Sequence, residues 1–407
     1  MHKNGGDMKV LHINAVSGIR STGRICSEII AFLHENGHKG YIAYSDGLKA
    51  RGYKIGTKFD HKCHALFSRI SGKQGYFSVL ETYRLLKYID FLEPDIIHLH
   101  NLHGNYINLK MLLKFIAKKD ISTVLTLHDC WFFTGKCFHF TVEGCYKWKV
   151  ECNHCPRVHK DNPSWFFDKS RKMYQDKKNL FGQIKDLAVV GVSDWITGEA
   201  RQSLLKNAQI IRRIYNWVDF NIFKPVSAED LRRSMNLEDK FVILGVASFW
   251  TEEKGLSEFL QLSKELQKDM VIVLIGNLNE SIDAYKNIIH IRETHDINSM
   301  VKFYSMADVF LNLSMEEACG RATIEALACG TPVIAMNSTS NPEQIGVNCG
   351  YVVEKDDQVD LIRKINQVHR NTKIFYSEYC IRYANQTFNK TNCLNDYIQL
   401  YREISGG

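Results

Sequence analysis

Alternation of short apolar runs with longer amphipathic ones constrains this chain more than any other feature, and the chain uses it twice. Val10-Leu11-His12-Ile13-Asn14 reads as a buried strand. It runs into the Gly-punctuated loop Ser17-Gly18-Ile19-Arg20-Ser21-Thr22-Gly23-Arg24, with a helix expected from about residue 25 to 35. Further strands are expected at 41–44, 96–99, 123–127 and 188–192, and helices at 80–92, 109–119 and 195–205. Asn216-Trp217-Val218-Asp219 and Phe223-Lys224-Pro225 mark a crossing. Beyond it the pattern restarts with strands at 241–247, 271–275, 288–291, 309–313 and 332–335, and helices at 256–267, 375–386 and 390–404. Repeated βα units predict an α/β chain whose parallel sheets are covered on both faces and bind ligands at their strands' carboxyl ends.

One stretch stands out in the second half: Glu316-Glu317-Ala318-Cys319-Gly320-Arg321-Ala322-Thr323-Ile324-Glu325-Ala326-Leu327-Ala328-Cys329-Gly330-Thr331-Pro332-Val333-Ile334-Ala335. It reads as a loop, a short helix opened by Gly320 and closed by Gly330, and a strand. A helix N-terminus offers unpaired N–H groups and the positive end of a dipole, which suit phosphate; flanking carboxylates suit sugar hydroxyls. Glu317 and Glu325 flank this one. For an isolated pair of acids at such spacing, ordinary decoration of a helix start is the competing reading.

Bulk properties exclude several classes. At 407 residues two or three domains are expected, and 45% apolar with 24% charged residues is ordinary for a globular enzyme. The net charge of +7 suits anionic substrates or an acidic membrane surface, and no nucleic-acid-binding signature is present. No apolar run reaches the roughly 18 residues of a spanning helix, and the start lacks the pattern of a secretory signal. Structure is expected from about Met8, and a cytoplasmic protein whose 12 Cys are thiols or metal ligands.

Two histidine-bearing segments follow expected strands: His98-Leu99-His100-Asn101-Leu102-His103-Gly104 and Thr126-Leu127-His128-Asp129. A lone imidazole there is more often structural; four at adjacent strand ends point to at least one substrate contact. In the first loop, Gly18 and Gly23 allow close approach of a ligand and Arg24 supplies charge for phosphate, against the plainer reading of a tight turn. Between about 130 and 156 lies an insert with Cys137-x7-Cys145-x6-Cys152-x2-Cys155. Four thiolates with one C-x2-C suit a tetrahedral structural zinc; unliganded thiols, or disulfides in an exported protein, remain the alternatives. Trp165-Phe166-Phe167 followed by Lys169, Arg171, Lys172, Lys177 and Lys178 reads as an aromatic and basic helix, either an ordinary surface helix or a contact with the membrane surface.

The stretch from Glu317 to Glu325, ending in Glu325-Ala326-Leu327-Ala328-Cys329-Gly330-Thr331-Pro332-Val333-Ile334-Ala335, resembles the E-x7-E signature of the retaining GT-B glycosyltransferases of family four. His128-Asp129-Cys130-Trp131-Phe132-Phe133-Thr134-Gly135, His100-Asn101-Leu102-His103-Gly104 and the cysteine insert resemble a bacterial subgroup that builds capsule, O-antigen and colanic-acid-type polysaccharides. The resemblance implies two doubly wound Rossmann-like domains facing across a cleft: residues 1–215 on the acceptor side, 216–375 binding the nucleotide-sugar, and 376–407 as helices returning to the first domain.

It also implies roles. Glu325 would hold the ribose, Glu317 the transferred sugar, and Lys254 the leaving diphosphate, with Gly320, Arg321, Ala322 and Thr323 around the phosphates. His128 would lie near the reacting sugar, with His100 and His103 on the acceptor or sugar side. The family's usual Arg five or six positions before that Lys is Phe249 or Ser248 here, so Arg24 and Arg321 are the candidates for the second positive charge. No D-x-D pair occurs, and no catalytic divalent metal is expected. The acceptor implied is a lipid-linked saccharide, which places the enzyme on the cytoplasmic face of the inner membrane. Rival classes are a non-catalytic nucleotide-sugar binder and a phosphorylase-like enzyme.

Overall fold

The computed structural model describes residues 7–50, 52–279, 281–282, 284–292, 294 and 296–406. The expectation of a polar, unstructured start falls mostly on residues outside that set. The chain divides into two compact units, Met1–Ile214 with Leu394–Gly407, and Tyr215–Cys393.

The first unit begins β1 (Lys9–Ser17), α1 (Arg20–Glu35), β2 (Lys39–Gly47), β3 (Gly52–Lys54), α2 (Lys58–Ser71) and α3 (Val79–Leu92). It continues β4 (Ile96–Leu99), α4 (Leu109–Lys119), β5 (Ser122–Leu127), α5 (Ser170–Phe181), β6 (Leu187–Gly191), α6 (Asp194–Arg201) and β7 (Ile210–Arg213). The second unit begins α7 (Glu229–Ser234), β8 (Phe241–Phe249), α8 (Leu256–Ser263), β9 (Met270–Asn277), β10 (Ile288–Ile291) and α9 (Ile297–Met306). It then runs β11 (Val309–Asn312), α10 (Arg321–Ala328), β12 (Val333–Met336), β13 (Gly350–Val353) and α11 (Gln358–Thr387), after which α12 (Lys390–Ile404) passes into the first unit.

Every named strand pairs in parallel. The sheet orders are β3-β2-β1-β4-β5-β6-β7 and β10-β9-β8-β11-β12-β13. Strand order reverses at β1/β4 in one sheet and at β8/β11 in the other, and a doubly wound sheet opens its ligand crevice at that reversal. The central strands are apolar on both faces, as helices on either side require: Val10, Leu11, Ile13, Ile96, Ile97, Val242, Ile243 and Leu244 are wholly buried.

Several sequence expectations shift. The first helix starts at Arg20, not near 25, so Gly23 and Arg24 are helical. Gly18, at φ +69°, completes the turn directly after β1, which leaves no further loop to build. The helix after Lys254 stops at Ser263 rather than 267. Trp165, Phe166 and Phe167 lie before α5 rather than on it, and Lys177 is buried rather than part of a basic surface. Residues 376–393 pack within the second unit, where Cys380 and Ala384 are buried and Lys390 Nζ lies 2.9 Å from Asp219 Oδ2.

The last turns of α12 close the core of the first unit through histidine. Parallel register sets His12 beside His98, and the three imidazoles of His12, His98 and His100 lie within van der Waals reach of one another. His98 bonds Tyr401 OH and Thr126 Oγ1, both at 2.7 Å, and Thr126 Oγ1 meets Tyr397 OH at 3.2 Å. Burial holds these rings neutral, depressing His12 to about 3 and His98 and His100 well below the ordinary imidazole value. A folded-state pKa below the unfolded one means that the unfolded chain takes up protons first as pH falls. This stabilisation is therefore complete above about 6.5 and is lost progressively below it. Each such imidazole contributes a slope of up to about 1.4 kcal/mol per pH unit there. Chemical denaturation between pH 7 and pH 5 should show stability falling, and His12→Gln should reduce the slope by one proton's worth; equal slopes would contradict the assignment.

Candidate functional site

Lys254 and Glu317 come from the loops that leave β8 and β11, the two strands at which the second sheet reverses order. Lys254 ends a 3-10 turn, Glu252–Lys254, and Gly255 follows at φ +80°. A Cβ there would stand 2.6 Å from both the Cβ and the carbonyl oxygen of Leu313, so only glycine lets the Lys254 turn lie this close to the end of β11. Lys254 Nζ lies 2.6 Å from Glu317 Oε2. The Glu317 loop is pinned by main-chain bonds: its N–H donates to Thr339 Oγ1 at 2.9 Å, and its carbonyl accepts from Ser340 Oγ at 2.9 Å.

Gly320 is the N-cap of α10, and its N–H donates to Gln344 Oε1. Asn312 Nδ2 reaches Thr323 Oγ1 at 2.9 Å and Asn341 Oδ1 at 3.1 Å, and Asn341 Nδ2 returns to Ser314 O. This buried amide network fixes where the helix starts. The first N–H groups of a helix have no acceptor within it, so those of Arg321 and Ala322 remain available at the positive end of its dipole. The Arg321 guanidinium is largely buried, and its Nε and Nη1 have no hydrogen-bond partner; Glu325 Oε1 is 3.8 Å away. Glu325 is itself buried, and its Oε2 accepts from Tyr304 OH at 2.9 Å. Burial and the neighbouring carboxylate raise the Tyr304 hydroxyl well above its ordinary value, so it remains a donor.

Lys254, Glu317, Gly320, Arg321, Ala322, Thr323 and Glu325 thus come together in one unit. The first unit gathers the other candidates. Gly18 N–H donates to Gly23 O at 3.3 Å, and Arg24 stands exposed on α1. Beyond β4 and β5, His12, His100 and His128 form a chain, Nδ1 of His12 to Nε2 of His100 and Nδ1 of His100 to Nε2 of His128, each 3.0 Å. Burial depresses His128 to about 4 although Asp129 opposes the shift, so at neutral pH it is an uncharged ring. His103 Nε2 pairs with Asp129 Oδ2 at 2.9 Å. His12 was not singled out in the sequence because it reads as an ordinary strand residue; the β1/β4 register alone makes it His100's partner. Tyr304, Asn312, Asn341 and Gln344 also escaped notice, each coming from a segment without a motif.

A family model described as glycosyl transferases group 1 matches residues 227–387. That match falls within the second unit. The chain is 21% identical over 335 residues to the putative colanic acid biosynthesis glycosyl transferase WcaC of Escherichia coli K12, covering 76% of this chain and 77% of that protein. It is 26% identical over 255 residues to the O-antigen biosynthesis glycosyltransferase WclY of Escherichia coli, covering 57% and 71%. Anabaena HepE in complex with UDP superposes with a TM-score of 0.67 at 15% identity, covering 97% of this chain and all of that one. The fold is GT-B: two Rossmann-like units, each with a parallel sheet, and a C-terminal helix. The protein is a glycosyltransferase.

Gly255 offers a direct test of the Lys254 turn. Gly255→Ala should cost about 1–2 kcal/mol for a left-handed L-residue and about 1–3 kcal/mol for the overlap with Leu313, read as a lower urea midpoint. Gly198→Ala, whose added methyl meets nothing within 4 Å, serves as the control; equal midpoints would refute the packing argument.

Proposed function

We propose that this enzyme transfers a sugar from a nucleoside-diphosphate sugar to a saccharide acceptor, with retention at the anomeric carbon. The observation that carries the donor reading is the largely buried Arg321 guanidinium at the start of α10, whose Nε and Nη1 make no hydrogen bond and which lies beside Glu325, in the same unit as the Lys254–Glu317 pair. Buried unpaired donors cost free energy that a diphosphate would recover. In this reading the amides of Arg321 and Ala322, the guanidinium and Lys254 receive the diphosphate, while Glu325 takes the ribose hydroxyls. Glu317, freed in part as Lys254 turns to phosphate, accepts hydroxyls of the transferred sugar. The neutral His128, held by His100, is a hydrogen-bond partner for a sugar hydroxyl rather than a charged acid.

The transfer breaks the bond from anomeric carbon to phosphate oxygen, whose electron pair leaves with the diphosphate. The acceptor oxygen attacks from the same face, and its proton passes to the departing phosphate. Stabilising that departing charge and fixing the acceptor are then the chief demands on the protein. No divalent metal is assigned a role. UDP binding by HepE, and the colanic-acid and O-antigen roles in the names of WcaC and WclY, favour a nucleotide-sugar donor and cell-surface polysaccharide synthesis.

The acceptor reading extends to a lipid-linked saccharide at a membrane surface. Among the described residues no helix is long and apolar enough to cross a membrane. The first unit does expose Phe59, Phe67 and Ile70 on α2, with Trp165, Phe166 and Phe167 beside them: Trp165 N–H donates to Arg69 O at 2.7 Å. Lys62 is exposed on α2, and Arg171 and Lys172 are exposed on α5, which follows the aromatic run. An aromatic patch among basic residues suits the interface of an anionic bilayer.

A thermal-shift panel of UDP, GDP, ADP, CDP and dTDP should single out one base, and the matching nucleotide-sugars should release nucleoside diphosphate on incubation. Lys254→Ala should lower kcat by about 10²–10³-fold, as loss of one donor to a developing anion does. No shift with any nucleotide, or full turnover by Lys254→Ala, would defeat the proposal. Flotation with phosphatidylglycerol vesicles should recover the wild type and lose Phe67→Ser/Phe166→Ser; absence of wild-type flotation would remove the membrane contact alone.

A further inference from the structure

The segment between β5 and α5 is long, carries one 3-10 turn at Lys147–Lys149, and has no strand or α-helix of its own. Irregular stretches beyond about 12–15 residues are uncommon in compact domains unless something else orders them. Here part of the answer is aromatic: Trp148 is fully buried against Phe133 and Phe140, each ring centroid 5.0 Å away. The rest is a small cavity whose lining includes Cys137, Cys145, Cys152 and Cys155. Four cysteines spread along this segment in sequence thus line one cavity.

Details around the thiols fit ligation. Cys137 and Cys155 place their Sγ atoms 3.6 Å apart, beyond bonding distance for a disulfide. That separation is close to the edge of a tetrahedron with a metal–sulfur bond of about 2.3 Å, roughly 3.8 Å. Main-chain N–H groups already face two of the sulfurs: Gly135 N–H donates to Cys152 Sγ at 3.2 Å, and the N–H of Arg157, two residues on, donates to Cys155. Such N–H···S bonds favour thiolate and fix its direction, as outer-shell bonds to metal ligands do.

Charge supplies an independent reason. Lys136 lines the same cavity and is buried, its Nζ donating to the carbonyls of Arg157, Val158, Lys160 and Asn162. Lys177 is buried below it, donating to the carbonyls of Trp131 and Thr134. Asp161 and Asp168 lie near the first ammonium and Asp129 near the second, but the hydrogen bonds of both go to neutral carbonyls, and the cysteine sulfurs are the other groups placed to carry negative charge beside them. A divalent ion with four thiolates carries a net charge of −2 and supplies it.

We propose that Cys137, Cys145, Cys152 and Cys155 bind one structural zinc ion that staples this segment, with Lys136 and Lys177 balancing its charge. All four positions are filled by protein, so the ion is closed to substrate and stands apart from the transfer chemistry. Tetrathiolate ligation selects zinc over magnesium, calcium or manganese, and binding releases the thiol protons.

Elemental analysis of the full chain, purified under reducing conditions without added metal, should find one zinc per chain. Titration with a mercurial should release that zinc as the thiols react, and cobalt replacement should give the d–d spectrum of a tetrahedral thiolate site. Cys145→Ser and Cys152→Ser should lose the zinc and lower Tm, whereas Cys63→Ser, on α2, should keep it. If the two variants fail to fold, metal content and the cobalt spectrum of the wild type decide alone. Absence of zinc with freely reactive thiols, iron in its place, or a disulfide among the four cysteines would overturn the proposal.

Discussion

Parallel pairing in both sheets is the constraint on which the candidate site depends. When all strands run one way, every loop that follows a strand emerges on the same edge, and the reversal of strand order opens a gap there. Lys254 follows β8 and Glu317 follows β11, and these are the neighbouring strands at the reversal of the second sheet. His100 and His128 follow β4 and β5 in the first sheet for the same reason. Residues far apart in sequence meet because topology delivers them to one edge, and short-range packing then fixes their distances.

At that edge the second unit arranges charge economically. Lys254 and Glu317 neutralise each other at 2.6 Å, a contact that is partly exposed and so easily exchanged for ligand. Arg321 differs. It is largely buried, Glu325 lies 3.8 Å from its Nε, and neither Nε nor Nη1 makes a hydrogen bond. One cation is thus held in reserve by a carboxylate, and the other is left expectant. The amide network of Asn312, Asn341 and Gln344 keeps the helix start from relaxing toward either of them.

Much of this was legible in the sequence, because strands, glycine stops and the paired acids each have a local signature. The short strands 96–99, in the middle of its sheet, and 288–291, at the edge of the other, fall where their apolar runs place them. The partners of the site were not legible. Tyr304 reaches Glu325 from α9, a helix with no capping box or heptad to announce it, and His12 gains its meaning only from register with β4. Lys177 was misread for a more instructive reason. Counted among the basic residues after Trp165, it suggests a surface; counted with Met173, Tyr174, Leu180 and Phe181, it falls on the buried face of α5. Charge outweighed periodicity in that reading, and periodicity was the better guide.

The hand-over of α12 from one unit to the other has a consequence for biosynthesis. The second unit is one continuous stretch, Tyr215–Cys393, whereas the first buries Leu394, Tyr397, Leu400 and Tyr401 of α12 and uses Tyr401 to satisfy His98. During translation the later-made unit holds all of its own parts before the earlier-made one does. His98 lacks its Tyr401 partner until α12 is made, so the order of synthesis and the order of completion are reversed.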